Sequence, residues 1–170
     1  MIQAHLSGDK ITSNQASAFS LYDKSRFGEK KPGKIEYSPI EALFLVKEGK
    51  MQITQNKKEL SESQIMKKLK SKDKRIDLKL PVFSDFRRKG YVAKTALKFG
   101  TDFRIYKKGI SPGQDHALWL VQCMRESSSF TWQDFAAKNR VAHSAKKSLI
   151  IAIVDDEDSV THYKVDWLKP

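Results

Sequence analysis

The sequence predicts a mixed α/β (α+β) chain: a small N-terminal α/β domain, then a C-terminal domain built on a mixed central sheet flanked by helices. Three observations predict it. Two capping-box signatures, Ser38-Pro39-Ile40-Glu41 and Ser61-Glu62-Ser63-Gln64, each open a stretch with helically spaced apolar residues. The segment Ser148 to Val154 is almost continuously apolar and of strand length, the pattern of a strand buried on both faces. Between the halves lies the charge-dense stretch Lys70 to Asp77, which reads as a linker or the solvated end of a helix. It sets a boundary near residues 73 to 80, with domains at 1–78 and 79–170.

In chain order, Ser20 to Phe27 is polar and aromatic-bearing and leads into a basic loop, Gly28 to Lys34. Pro39 stands at the first helical position of a helix carrying Ile40, Leu43, Phe44 and Val46, which stops near Gly49. The second box opens a short helix with Ile65, Met66 and Leu69 on one side. Pro81 restarts order, and Val82 to Arg88 predicts a helix ended by Gly90. Tyr91 to Lys94 starts a strand, and Phe103-Arg104-Ile105-Tyr106 alternates as a strand does. His116 to Val121 and Ser148 to Val154 are two more strands, the second central. Between them Thr131-Trp132-Gln133-Asp134 starts a helix whose apolar content is Phe135, Ala136, Ala137, Val141 and Ala142. Asp155 to Asp158 has turn chemistry, and Val160 to Trp167 returns as a strand.

Charge bounds the partners. Thirty-two Lys and Arg against twenty Asp and Glu give a net charge of +12. That excess favours a polyanion, because each neutralised phosphate releases condensed counterions. A solubilising surface or a ribosome-associated fold would give the same balance. The single cysteine, Cys123, excludes an intrachain disulfide and a multi-Cys zinc site, and its apolar neighbours Leu118 to Met124 mark it as a buried structural thiol. The start lacks a signal-peptide pattern and no apolar run approaches the roughly 20 residues of a membrane span. A soluble, cytoplasmic protein with no membrane association is expected.

Candidate chemistry divides by metal. His5, His116, His143 and His162 are widely separated and lack ligand spacing, and four adjacent acids in a turn are commonly solvated. A two-metal nuclease needs carboxylates converging from several elements; Asp85, Asp102 and Asp155 are the weak candidates. Metal-free RNA cleavage needs a base for the 2′-hydroxyl, an acid for the leaving 5′-oxygen and a cation for the phosphorane. Histidine suits the acid role, lysine the cation, and tyrosine the base if nearby cations lower its pKa. Tyr106 ends a strand before Lys107, Lys108 and Gly109. His116 opens the next strand after the turn Ser111-Pro112-Gly113. Lys147 closes a helix just before the central strand. Residue by residue, each also reads as an ordinary structural or surface side chain.

Around these residues the sequence resembles the archaeal tRNA-intron (tRNA-splicing) endonuclease family. The resemblance runs through Tyr91 to Lys94, Lys98 to Tyr106, Asp115-His116-Ala117, Arg140 to Lys147 and Ala152 to Asp155, in the family's order and spacing. It covers most of residues 81 to 165, and more loosely Ile40 to Val46 with Gly49. It implies a C-terminal nuclease domain whose triad falls on Tyr106 (general base), His116 (general acid) and Lys147 (transition-state stabiliser), with Lys146 the alternative to Lys147. It implies metal-independent cleavage at bulge-helix-bulge junctions of precursor tRNA, giving 2′,3′-cyclic phosphate and 5′-hydroxyl ends, with no cofactor.

By the same resemblance Arg140 belongs to a clamp that holds a flipped bulge base between two subunits. Trp167 is a second jaw or a core or interface aromatic, and His143 packs or caps. The Asp155-Asp156-Glu157-Asp158 turn matches a loop that docks on a neighbouring subunit, so a homotetramer, or a heterotetramer with a structural subunit, is implied. The loop Lys30 to Lys34 could add RNA contacts. The rival readings are a non-catalytic RNA-binding structural subunit of the same complex and a basic nucleic-acid-binding module.

Overall fold

A computed structural model describes every residue except Ser111, Gln114 and Lys169, so the Ser111 of the expected turn lies outside the described residues. The chain packs as two compact units, Met1–Asp77 and Leu78–Pro170. No described helix is long and apolar enough to cross a membrane.

The first unit is a six-stranded sheet with helices. Its strands are β1 (Ile2–Ser7), β2 (Lys10–Ser13), β3 (Glu29–Lys31), β4 (Lys34–Tyr37), β5 (Met51–Gln55) and β6 (Lys58–Glu59), in the order β3-β4-β2-β1-β5-β6. All neighbours are antiparallel except β1 and β5, which makes the sheet mixed. Helix α1 (Ala16–Ser25) follows β2, and α2 (Pro39–Lys47) supplies the crossover from β4 to β5. At the start of α2, Glu41 is almost fully buried and accepts from Ser38 N–H at 3.1 Å and from Gly28 N–H at 2.9 Å. The second box opens α3 (Glu62–Lys70), with Ile65 and Leu69 buried. The Gly28 to Lys34 segment is not a loop but the β3–β4 hairpin, turning at Pro32-Gly33. Its Lys and Glu residues all face solvent on β3, so no apolar alternation announced it.

The second unit is a three-layer arrangement. Its sheet comprises β7 (Val92–Thr95), β8 (Phe103–Tyr106), β9 (Trp119–Arg125), β10 (Ser148–Val154) and β11 (Val160–Val165), ordered β11-β10-β9-β8-β7. Strands β9 and β10 are parallel, joined by the crossover helix α5 (Trp132–Ser144), and the remaining pairs are antiparallel. One face packs on α4 (Ile76–Arg88), with Phe83 against Phe103 at 5.6 Å between rings. The other face packs on α5, where Ala142 meets Leu120, Leu149 and Ile151. Helix α4 begins at Ile76, five residues before the expected start, and holds Pro81 internally. Only Ser71 to Arg75 separate α3 from α4. Strand β9 is the middle strand, and β10 lies beside it. Cys123 is buried, as its neighbours predict.

Candidate active site

Strand register explains how residues far apart in sequence meet. Ile105 of β8, Trp119 of β9 and Ser148 of β10 form one row across three strands. One step beyond that row, at the same sheet edge, stand Tyr106, the segment His116 to Leu118, and Lys147. Leu118 N–H still donates to the Ile105 carbonyl at 2.7 Å, so the chain from His116 onward is already tethered to β8 before β9 begins. His116 therefore precedes its strand by three residues rather than opening it, because the ladder of β9 starts only at Trp119.

The turn carrying Lys147 is set by the end of α5. Lys146 takes the left-handed conformation (φ 56°), its N–H donates to His143 at 2.9 Å, and Lys147 N–H donates to Ala142 at 2.9 Å. That pairing is a Schellman motif, with Lys146 in the position usually held by glycine. Helix α5 ends at Ser144, so Lys147 lies beyond the helix, in the turn. Its ammonium donates to the Ala145 carbonyl at 2.9 Å and lies 5.9 Å from the Phe99 ring centre.

Tyr106, His116 and Lys147 line one cavity of about 410 Å³, together with Lys98, Phe99, Arg104, Gly113, Asp115 and Ala117. Tyr106 is buried against Val92 and Ala117. His116 is exposed, and its backbone N–H donates to its neighbour Asp115 at 2.7 Å. Lys98, Arg104 and Lys147 outnumber the single carboxylate of Asp115, so the cavity is cationic. Sequence reading gave no role to Lys98, Phe99, Arg104 or Asp115. For Arg104 a signal was available: residues two apart on a strand share a face, and Arg104 is two before Tyr106.

The other sequence candidates lie elsewhere. Arg140 and Trp167 are exposed and do not line the cavity. The Trp167 ring packs edge-on against His143 at 4.4 Å, and Arg140 is one helical turn before His143. The acidic segment is the β10–β11 turn. Asp155 organises it by accepting from the Glu157 and Ser159 N–H groups at 2.9 and 2.8 Å, and Asp158 pairs with Arg125 at 3.2 Å. Among the described residues Asp156 and Glu157 make no ion pair, and both are exposed. Lys30 and Lys31 lie on β3, and Lys34 opens β4.

The three carboxylates weighed for metal serve separate purposes. Asp85 binds Lys89 and His162; Asp102 accepts from Cys123 N–H at 2.8 Å and pairs with Lys79; Asp155 closes its turn. Among the described residues no three His, Cys, Asp or Glu gather as a metal-binding set.

A cationic cleft holding a phenol, an imidazole and an ammonium group at one edge of an α/β sheet has the make-up of an acid–base nuclease. Comparison with known proteins gives the family. Residues 76–162 match the family model described as the tRNA intron endonuclease catalytic C-terminal domain, and residues 2–66 match that of its N-terminal domain. The tRNA-splicing endonuclease of Thermococcus kodakarensis is 41% identical over 170 residues, covering 99% of both chains. That of Pyrococcus abyssi is 39% identical (99% of this chain, 98% of the relative), and that of Methanothermobacter thermautotrophicus 33% (96% of each). The chain belongs to the tRNA intron endonuclease family, a class of RNA-cutting enzymes, and carries both of its domains.

Proposed function

We propose that this enzyme excises introns from precursor tRNA by cutting at bulge-helix-bulge exon–intron junctions, without a metal ion. Tyr106 takes the proton of the 2′-hydroxyl, whose oxygen attacks the adjacent phosphorus. As that bond forms, the bond from phosphorus to the 5′-oxygen breaks, and His116 protonates the departing oxygen. Lys147 stabilises the charge that builds on the phosphorane. The ends are a 2′,3′-cyclic phosphate and a 5′-hydroxyl. The observation that carries this reading is the sharing of one cationic cavity by these three groups, each chemically suited to a different step.

Arg140 and Trp167 grip an unstacked bulge base, through flat faces suited to stacking. The acidic turn, with Asp156 and Glu157 exposed, docks on a neighbouring copy or a structural subunit in a tetramer. The basic hairpin Lys30 to Lys34 adds RNA contacts. The test is incubation of the purified chain with a bulge-helix-bulge RNA in EDTA, beside a His116→Ala control. Cleavage to cyclic-phosphate and 5′-hydroxyl ends, lost in the control, is the expected result. Cleavage only on adding a divalent cation overturns the metal-free mechanism, and unaltered cleavage by the control overturns the assignment of the acid.

A further inference from the structure

We infer that Arg104 is a second phosphate ligand of the active site, its guanidinium holding the non-bridging oxygen of the scissile phosphate that Lys147 leaves uncovered. The inference rests on the reaction proposed above and adds a fourth residue to it.

Arg104 shares a sheet face with Tyr106 on β8 and lines the same cavity. It is half-buried, and its Nε is shut off from solvent with no hydrogen-bond partner among the described residues. Strand pairing brings no counter-charge, because its cross-strand neighbours are Lys94 on β7 and Leu120 on β9. Asp115 lines the cavity, yet among the described residues no carboxylate lies within ion-pair range of Arg104. Among the described residues its one specific side-chain contact is with the ring of Tyr106, 5.9 Å from guanidinium carbon to centroid. That distance is at the outer limit of a cation–π contact and does not offset the partial desolvation of an unpaired guanidinium. Arginines withdrawn from water are ordinarily paired. Here the side chain lines a cavity, so the partner the guanidinium lacks is an anion that enters it.

The reaction supplies such an anion. A phosphorane carries two non-bridging oxygens, and one ammonium acts as a point charge on one of them. A guanidinium presents several donors in a fixed plane and reaches phosphate oxygens without losing its charge. Arg104 on β8 and Lys147 in the turn after α5 line the same cavity and can flank the phosphorus.

The experiment has two arms. In the first, single-turnover cleavage by saturating enzyme is compared for wild type, Arg104→Gln, Arg104→Lys and His116→Ala, with thermal melts to confirm folding. The expected result is a loss of about a hundredfold to a thousandfold in rate for Arg104→Gln, partial recovery in Arg104→Lys, and a much smaller change in RNA affinity. Substitution of sulfur for one non-bridging oxygen of the scissile phosphate slows wild type but adds little to the defect of Arg104→Gln. A folded Arg104→Gln enzyme within about threefold of wild type, with His116→Ala inactive, overturns the inference while leaving the reaction intact. In the second arm the wild-type chain is titrated with inorganic phosphate while the Arg104 Nε–H resonance is followed, assigned by its absence in Arg104→Gln. A saturable shift is expected, and its absence overturns the inference whatever the activity. A shift in a chain that cuts no RNA retains Arg104 as a phosphate ligand and rejects the reaction.

Discussion

His162 Nε2 and a carboxylate oxygen of Asp85 lie 2.7 Å apart, tying the edge strand β11 to helix α4 across one face of the sheet. The His162 ring also packs on Phe86 at 4.8 Å, and Lys89 reaches the same Asp85 oxygen at 2.8 Å. Burial pushes the Asp85 carboxyl upward, but hydrogen bonds and charge from Lys89 and His162 outweigh it and hold the group below the usual carboxylate range.

A depressed folded-state pKa gives stability that is fully present above the unfolded value of about 3.9 and is lost as pH falls through the lower folded value. Asp85→Asn is therefore expected to cost about 1 kcal/mol near pH 6, allowing for solvent screening of a partly exposed group. The difference from wild type should shrink as pH drops below about 4. Urea denaturation of both proteins across this range checks it. A gap that stays constant down to the acid limit would assign the loss to packing rather than charge.

In the first unit the equivalent tie is Gly28 to Glu41. Gly28 has φ 78°, and a Cβ there would sit 2.4 Å from Ile35 Cγ2 and 2.9 Å from the Glu36 carbonyl. Gly28→Ala is expected to destabilise by about 2–4 kcal/mol, from left-handed strain plus overpacking. Glu41→Gln, which keeps the shape but replaces one carboxylate oxygen by a donor facing other donors, should cost about 1–3 kcal/mol. Chemical denaturation measures both. A neutral Gly28→Ala would show that the β3–β4 hairpin shifts freely away from the Phe27–Gly28 turn.

The contact between Trp167 and His143 bears on the RNA grip. If Trp167 stacks on a base, Trp167→Ala weakens RNA binding by about 1–3 kcal/mol, and Trp167→Phe retains most of the affinity. Arg140→Ala weakens it too, and the double variant loses less than the sum, because both groups act on one base. Binding is measured with a substrate carrying a 2′-deoxy nucleotide at the cleavage site, which cannot be cut. Unchanged affinity in Trp167→Ala would return Trp167 to a purely structural contact with His143.

Local chemistry made much of the fold legible. The capping boxes at Ser38 and Ser61 and the strands at Phe103–Tyr106 and Ser148–Val154 are written in short-range patterns, and the observed bounds follow them. What escaped depends on distant parts of the chain. Helix α4 extends back through a charged segment because Ile76 and Leu80 are buried, which overrides its composition and the internal Pro81. Strand β9 starts late because Trp119 is the first residue opposite both Ile105 and Ser148. The convergence of Tyr106, His116 and Lys147 is likewise a property of strand register, which no local pattern encodes. The resemblance to a family named these three, but it gave no means of noticing that Arg104 shares their cavity.

Register also separates two lysines that spacing alone left ambiguous. Lys146 occupies the left-handed position of the Schellman turn and is exposed, whereas Lys147 is half-buried and lines the cavity. Lys146→Gly should therefore leave cleavage within about threefold of wild type and stabilise the turn by up to about 1 kcal/mol, since glycine carries no left-handed penalty. Lys147→Ala should fold normally and lose about a hundredfold to a thousandfold in single-turnover rate. Both variants are read in one assay, with thermal melts alongside. The reverse ranking, an inactive Lys146→Gly beside an active Lys147→Ala, would mean that the turn re-forms around RNA with Lys146 turned inward, and the stabilising cation would have to be reassigned.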